Sequence, residues 1–114
     1  MAFMKTDSVK GDSTVYELSS EVKRYTLRDV GFMEKKNGSF TFARPLDPTA
    51  PVKQAIKLKI TVAKDLSGFT MSVTTANGLQ PVDIFKRQDS AEKVEQFNFI
   101  VADLIERKVI QKKV

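Results

Sequence analysis

Two pairs of opposite charges bracket one expected hairpin: Arg28 and Asp29 precede it, and Arg44 and Asp47 follow it. A two-residue loop at Asn37-Gly38 would fold the flanking segments onto each other. Residue 31 then falls opposite Arg44, and the four charges can cluster. A guanidinium in such a cluster can hold a carboxylate or a phosphate through paired hydrogen bonds. The plainer alternative is that the four charges pair with one another and fasten loops. A second group of charges lies further on. Lys57 and Lys59 share one side of a strand, with Lys53 and Lys64 nearby and Thr70, Ser72 and Thr74 opposite. Such a strip can follow a phosphate backbone, and Phe32 is the aromatic that could share its face for base stacking. A solvated face that discourages edge-to-edge pairing accounts for the same lysines.

Other chemistry is excluded by composition. The chain has no histidine and no cysteine. That removes the commonest general base, thiolate catalysis, disulfides and zinc-thiolate sites. An oxygen-ligand metal site would need carboxylates close together, and none are so spaced, so no metal and no cofactor is expected. Each of the five glycines stands alone at a turn, which leaves no phosphate-cradling loop. An enzyme built on lysine, tyrosine or carboxylates would need a desolvated lysine beside Tyr16 or Tyr25, and no lysine is marked out for that.

With 114 residues, the chain is expected to be a single domain over 1–114, with 1–12 as an N-terminal arm. A chain this long buries roughly two-thirds of its unfolded surface, enough for one core without staples. The net charge of +5 is spread evenly: ten basic and seven acidic residues run to Lys57, nine and seven follow. Nucleic-acid binders usually concentrate the excess. No stretch is apolar enough to span a membrane, and the first residues lack the core of a secretory signal. The cytoplasm is therefore the expected location.

The elements that position these charges follow from patterning. Thr14 to Leu18 alternates as a strand does. Ser19 to Val30 suits a short helix capped at Ser20 and stopped at Gly31, although Tyr25-Thr26-Leu27 also suits a strand. Gly31–Lys36 and Ser39–Arg44 form the hairpin. Its type I′ turn pairs Lys35 with Phe40 and Met33 with Phe42, so Met33, Phe40 and Phe42 make the apolar face, and Phe32 lies on the other, mostly polar face with Glu34, Lys36, Ser39, Thr41 and Ala43. Pro45, Pro48 and Pro51 impose a connection. Lys53 to Thr75 is the central ribbon: Ile56, Leu58, Ile60 and Val62 face Phe69, Met71 and Val73 across a loop at 64–68. Val82–Phe85 is a short strand or an apolar pad. Ala91 to about Lys108 is a helix, capped at Asp89 or Ser90, with Val94, Phe97, Val101, Leu104 and Ile105 on one stripe. Phe99 projects from the other side, as a tolerated exposed ring or a contact for a second copy.

Four segments together resemble a known family: Leu27-Arg28-Asp29-Val30-Gly31-Phe32, Asn37-Gly38-Ser39-Phe40, Arg44-Pro45-Leu46-Asp47 and the strand from Lys57 to Val62. The family comprises small uncharacterised proteins of Gram-positive bacteria, a domain of unknown function loosely tied to amino-acid metabolism. The resemblance covers most of the chain, and no segment of it is a chemical signature. It implies an α+β fold distantly like the TATA-binding-protein arrangement and a ligand-binding role. It carries over no catalytic residue.

The expectation is an α+β domain, an antiparallel sheet of about five strands with the C-terminal helix on one face. Its expected role is non-enzymatic binding of a small anionic metabolite or a partner enzyme, through Arg28, Asp29, Arg44 and Asp47. The alternative is nucleic-acid binding through Lys57 and Lys59. A homodimer through the Phe99 side of the helix is the expected assembly if one forms.

Overall fold

A computed structural model of the protein describes residues 5–9, 11–12, 14–46, 55–78, 80–86 and 91–113. The expectations for Asp47, Pro48, Pro51, Lys53 and the Asp89 or Ser90 cap lie outside them. Among the described residues nine elements follow in order: β1 (Thr6–Asp7), β2 (Tyr16–Leu18), α1 (Arg24–Asp29), β3 (Met33–Glu34), β4 (Phe40–Pro45), β5 (Lys57–Val62), β6 (Phe69–Thr74), α2 (Ala91–Glu106) and β7 (Ile110–Lys112). The class is α+β, as patterning implies. The strands form two antiparallel sheets rather than one of about five: β3-β4-β5-β6 and β1-β2-β7.

The ribbon of β5 and β6 is the centre of the larger sheet. Leu58 pairs with Val73, Ile60 with Met71 and Val62 with Phe69. These six residues and their neighbours Phe40 and Phe42 on β4 are all buried. Thr41, Ala43, Lys57, Lys59, Thr61, Thr70 and Ser72 alternate with them on the outer, wetter face. Helix α2 covers the inner face with Phe97, Ile100, Val101 and Leu104, all buried. The Phe97 ring meets Phe85 edge-on at 5.7 Å. Val82–Phe85 is thus an apolar pad: Ile84 is buried within it, and Val82 N–H donates to Val73 O at 2.8 Å.

That bond also closes the free edge of β6. Asp7 Oδ2 accepts from Met71 N–H at 2.9 Å on the same strand. An edge whose amide groups are already occupied is a poor template for another chain. The N-terminal arm is therefore part of the fold: Thr6–Asp7 pairs with β2, and Val9 is buried.

The hairpin departs from expectation by one residue. Met33 pairs with Thr41 and Glu34 with Phe40. The loop holds three residues instead of two. Gly38 N–H donates to Lys35 O at 2.9 Å, and Lys35 N–H donates to Ser39 O at 2.7 Å. A type I′ turn needs positive φ at Asn37 as well as at Gly38. Among the described residues only Leu66 and Lys108 have positive φ outside glycine, and Gly38 alone turns left-handed here, at +90°. Asn37 instead spends its side chain on Ser39: Oδ1 accepts from Ser39 N–H at 2.9 Å and from its hydroxyl at 2.7 Å. The result is a tight turn followed by a one-glycine bulge. A one-residue slip moves every side chain to the opposite face. Phe32 is buried and Met33 is 74 % exposed, the reverse of the expected assignment. Phe32 stacks on Phe42 with ring centroids 4.9 Å apart.

Both helices end the same way. After α1, Phe32 N–H donates to Leu27 O at 2.9 Å and Gly31 N–H to Arg28 O at 3.2 Å. After α2, Val109 N–H donates to Leu104 O at 3.0 Å and Lys108 N–H to Ile105 O at 3.1 Å. This double bond pattern needs a left-handed residue just past the helix. Gly31 supplies it at φ +106°, and Lys108 at +65°. The side chain of Lys108 is out of place there. Lys108→Gly is expected to raise stability by about 1 kcal/mol, because a residue with a Cβ in that region carries a penalty of roughly 1–2 kcal/mol. A denaturant midpoint unchanged or lowered would show that Lys108 sits there without cost.

The turn at Lys108 sends the chain back as β7, which pairs with β2: Leu18 with Ile110, Glu17 with Gln111, Tyr16 with Lys112. Tyr16 is buried here, and its hydroxyl donates to Asp12 Oδ2 at 3.4 Å. Burial first, and then the Asp12 carboxylate, push the Tyr16 phenol up from 10.0 to about 12. In the unfolded chain the phenol ionises at its ordinary value, so the native state keeps a proton that the unfolded state gives up first. Its contribution is complete below about pH 10 and is lost progressively toward pH 12. Denaturant midpoints measured across that interval should fall more steeply for the parent than for Tyr16→Phe.

Candidate functional site

A groove opens where the end of β4 passes beneath α2. It has a volume of about 260 Å³. Phe42, Arg44 and Pro45 line it from the strand, and Val30 from the turn after α1. Gln96, Phe99, Ile100, Asp103 and Leu104 line it from the helix. The alternation of β4 explains Arg44. Phe40, Phe42 and Arg44 lie on the same face, but Arg44 stands at the open end, where the core gives way to solvent. The helix contributes side chains at positions 96, 99–100 and 103, one flank of the buried stripe.

Arg44 is the cation of this groove. Its guanidinium carbon lies 5.2 Å from the centre of the Phe42 ring. Its Nη2 donates to Val30 O at 3.4 Å. The ring attracts the cation and sets the plane of the fork. Gly31 also makes room for it: a Cβ at position 31 would come within 3.0 Å of Nη2. Among the described residues no carboxylate lies within ion-pair distance of Arg44. On the helix side, Asp103 Oδ1 accepts from Arg107 Nε at 3.2 Å, an exposed pair one helical turn apart. Phe99, 70 % exposed, stands at the rim. Its other side borders a shallower depression with Glu92, Glu95 and Gln96.

The expected four-residue cluster is only partly assembled. The ends of the hairpin do meet, since Arg44 bonds the backbone beside Gly31. Arg28 lies over the neighbouring ring, 5.9 Å from the centre of Phe40, but its Nη2 binds Glu34 Oε1 at 2.6 Å. Its charge is thus matched locally. Asp29 is exposed on α1 and enters no ion pair among the described residues. Asp47 lies outside the described residues. Lys57 and Lys59 fall on the outer sheet face, paired with Thr74 and Ser72. Phe32, the ring that face would need for base stacking, is in the core instead.

Gln96, Ile100 and Asp103 did not enter the sequence-based site. Their spacing with Phe99 was visible as a second, mixed stripe beside the apolar one. Nothing local indicated that it would lie against the end of β4.

Taken together, the molecule is a small α+β protein with a helix over one sheet face and an amphipathic groove at their margin. Among the described residues no group of acidic side chains is arranged to hold a metal ion, and no helix is long and apolar enough to cross a membrane. Over residues 1–111 the chain matches the family model "DUF1831: Putative amino acid metabolism", and it belongs to that family. It is also similar to a DUF1831 family protein from Lactobacillus plantarum whose crystal structure is known at 1.20 Å resolution. The two are 46 % identical, superpose with a TM-score of 0.91, and the match covers 99 % of each chain. No curated protein is significantly similar to the chain.

Proposed function

We propose that the protein is a non-catalytic binding module that takes a small carboxylate-bearing metabolite in the groove beneath α2, in the service of amino-acid metabolism. Arg44 carries this reading. Its guanidinium is oriented by Phe42, faces a groove, and has no ion-pair partner among the described residues. A fork held in one plane binds a carboxylate with less entropy loss than a free side chain would. The groove is smaller than the roughly 300–1,000 Å³ of sites for drug-sized ligands, which favours a compact metabolite over a nucleotide. The family description agrees with such a role in its general sense.

Thermal-shift measurements against amino acids, keto acids and nucleotides test it. Small carboxylates should raise the melting temperature by several degrees at saturating concentration. Arg44→Ala should weaken binding about 10–100-fold, the equivalent of a charge-assisted hydrogen bond worth about 1.5–3 kcal/mol. Arg28→Ala should leave binding unchanged, because Arg28 is engaged with Glu34. If no carboxylate stabilises the parent protein, or if Arg44→Ala binds as well as the parent, the proposal is wrong.

A further inference from the structure

We infer that the occupant of this groove is a single free α-amino acid with an apolar side chain, a step that rests on the Arg44 reading above and specifies its ligand. The argument is the order of chemistry around the groove. Arg44 offers a cation. Asp103 and Gln96 offer side-chain oxygen acceptors. Phe42, Ile100 and Leu104 offer an apolar floor, and Phe99 an exposed apolar rim. A ligand with a carboxylate alone would leave Asp103 Oδ2, the oxygen that Arg107 does not bind, without a complement among the described residues. A ligand with an ammonium alone would leave Arg44 without one. A zwitterion satisfies both, and a branched or aromatic side chain covers the floor.

The exposure of Phe99 fits the same occupant. A large ring held 70 % in water is ordinarily unfavourable, and a bound apolar side chain would remove one of its faces from solvent. The acceptors suit an ammonium group rather than a second anion. Asp103 keeps one carboxylate oxygen, Oδ1, on Arg107 and leaves Oδ2 without a protein partner among the described residues.

The size of the groove sets the upper limit. A volume of about 260 Å³ accommodates one amino acid and excludes a longer peptide lying within it. The entrance stays open, so the side chain of the ligand contacts Phe99 at the rim and is only partly enclosed.

Calorimetric titration of the full chain distinguishes the possibilities with four probes: leucine, phenylalanine, the keto acid 4-methyl-2-oxopentanoate and the amine 3-methylbutylamine. Leucine or phenylalanine should bind best. Removal of either charged group from the ligand should weaken binding by about tenfold or more, the loss of one charge-assisted hydrogen bond. Asp103→Asn should reduce leucine affinity toward that of the keto acid and leave keto-acid affinity unchanged. Thermal unfolding of each variant confirms that the exposed substitutions leave the fold intact. Equal binding of leucine and the keto acid would overturn the amino-acid assignment while leaving the carboxylate module standing. Binding of neither would overturn both. So would a concentration-dependent dimer that Phe99→Asp dissolves, with no probe bound by the parent or by the monomeric variant, since the occupant would then be Phe99 of a second copy.

Discussion

Aspartate in place of Phe97 should leave the protein unfolded under conditions where the parent is folded. Phe97 has no exposed surface. It lies on the inner side of α2 and meets Phe85 edge-on. Truncating such a ring to alanine costs about 3–5 kcal/mol. An ionised carboxylate at the same point loses the same packing and adds an unpaired buried charge, several kcal/mol more. A chain of this length has a total stability of roughly 6–17 kcal/mol at the usual 0.05–0.15 kcal/mol per residue. The substitution should therefore consume most of it. Circular dichroism should show loss of the folded signal, and Phe99→Asp, two residues along the same helix, should retain it. A folded Phe97→Asp protein would mean that α2 does not seal the sheet.

The second large effect follows from the hairpin register. Phe32→Asp should cost more than about 4 kcal/mol, because it breaks a buried stack on Phe42 and places a charge in the core. Met33→Asp should change stability by less than about 0.5 kcal/mol, as substitutions at exposed positions usually do. A two-residue loop at Asn37-Gly38 would reverse the two outcomes. Denaturant midpoints for the pair thus read the register directly. Equal effects at the two positions would place neither ring face where the structure does.

The central ribbon was legible from residue order because its information is local. Alternation from Leu58 to Val62 and from Phe69 to Val73 defines two faces, and a short polar loop sets the pairing. The long helix was legible for the same reason: Phe97, Val101 and Leu104 recur at its period. Its stop at Glu106 came two residues before the expected end near Lys108, since a lysine holds the left-handed position that glycine usually fills. The hairpin failed by one residue because Asn-Gly permits two turns. The choice between them was made by packing of Phe32 on Phe42 and by the Asn37 side chain, neither of which has a pattern to read. The last strand was too short to signal itself. Ile110–Lys112 becomes a strand only because the turn at Lys108 delivers it to β2.

Arg44 was visible as a candidate, since a hairpin turning at Asn37-Gly38 brings it back opposite the residues that follow Arg28 and Asp29. Its supposed companions were not decided by proximity in sequence. Arg28 went to Glu34, and the acceptors facing Arg44 came from α2, more than fifty residues later.

The order of residues alone determined the class of fold, the inner and outer faces of the ribbon, the identity of the covering helix, and the exclusion of histidine and cysteine chemistry. These depend on composition and on periods of two or about 3.6 residues, which any segment carries within itself. Tertiary structure alone decided the register of the hairpin, the second sheet, the closed edge at Asp7 and the partners of Arg44. Each of those joins segments distant in sequence, where the choice belongs to packing rather than to any local preference.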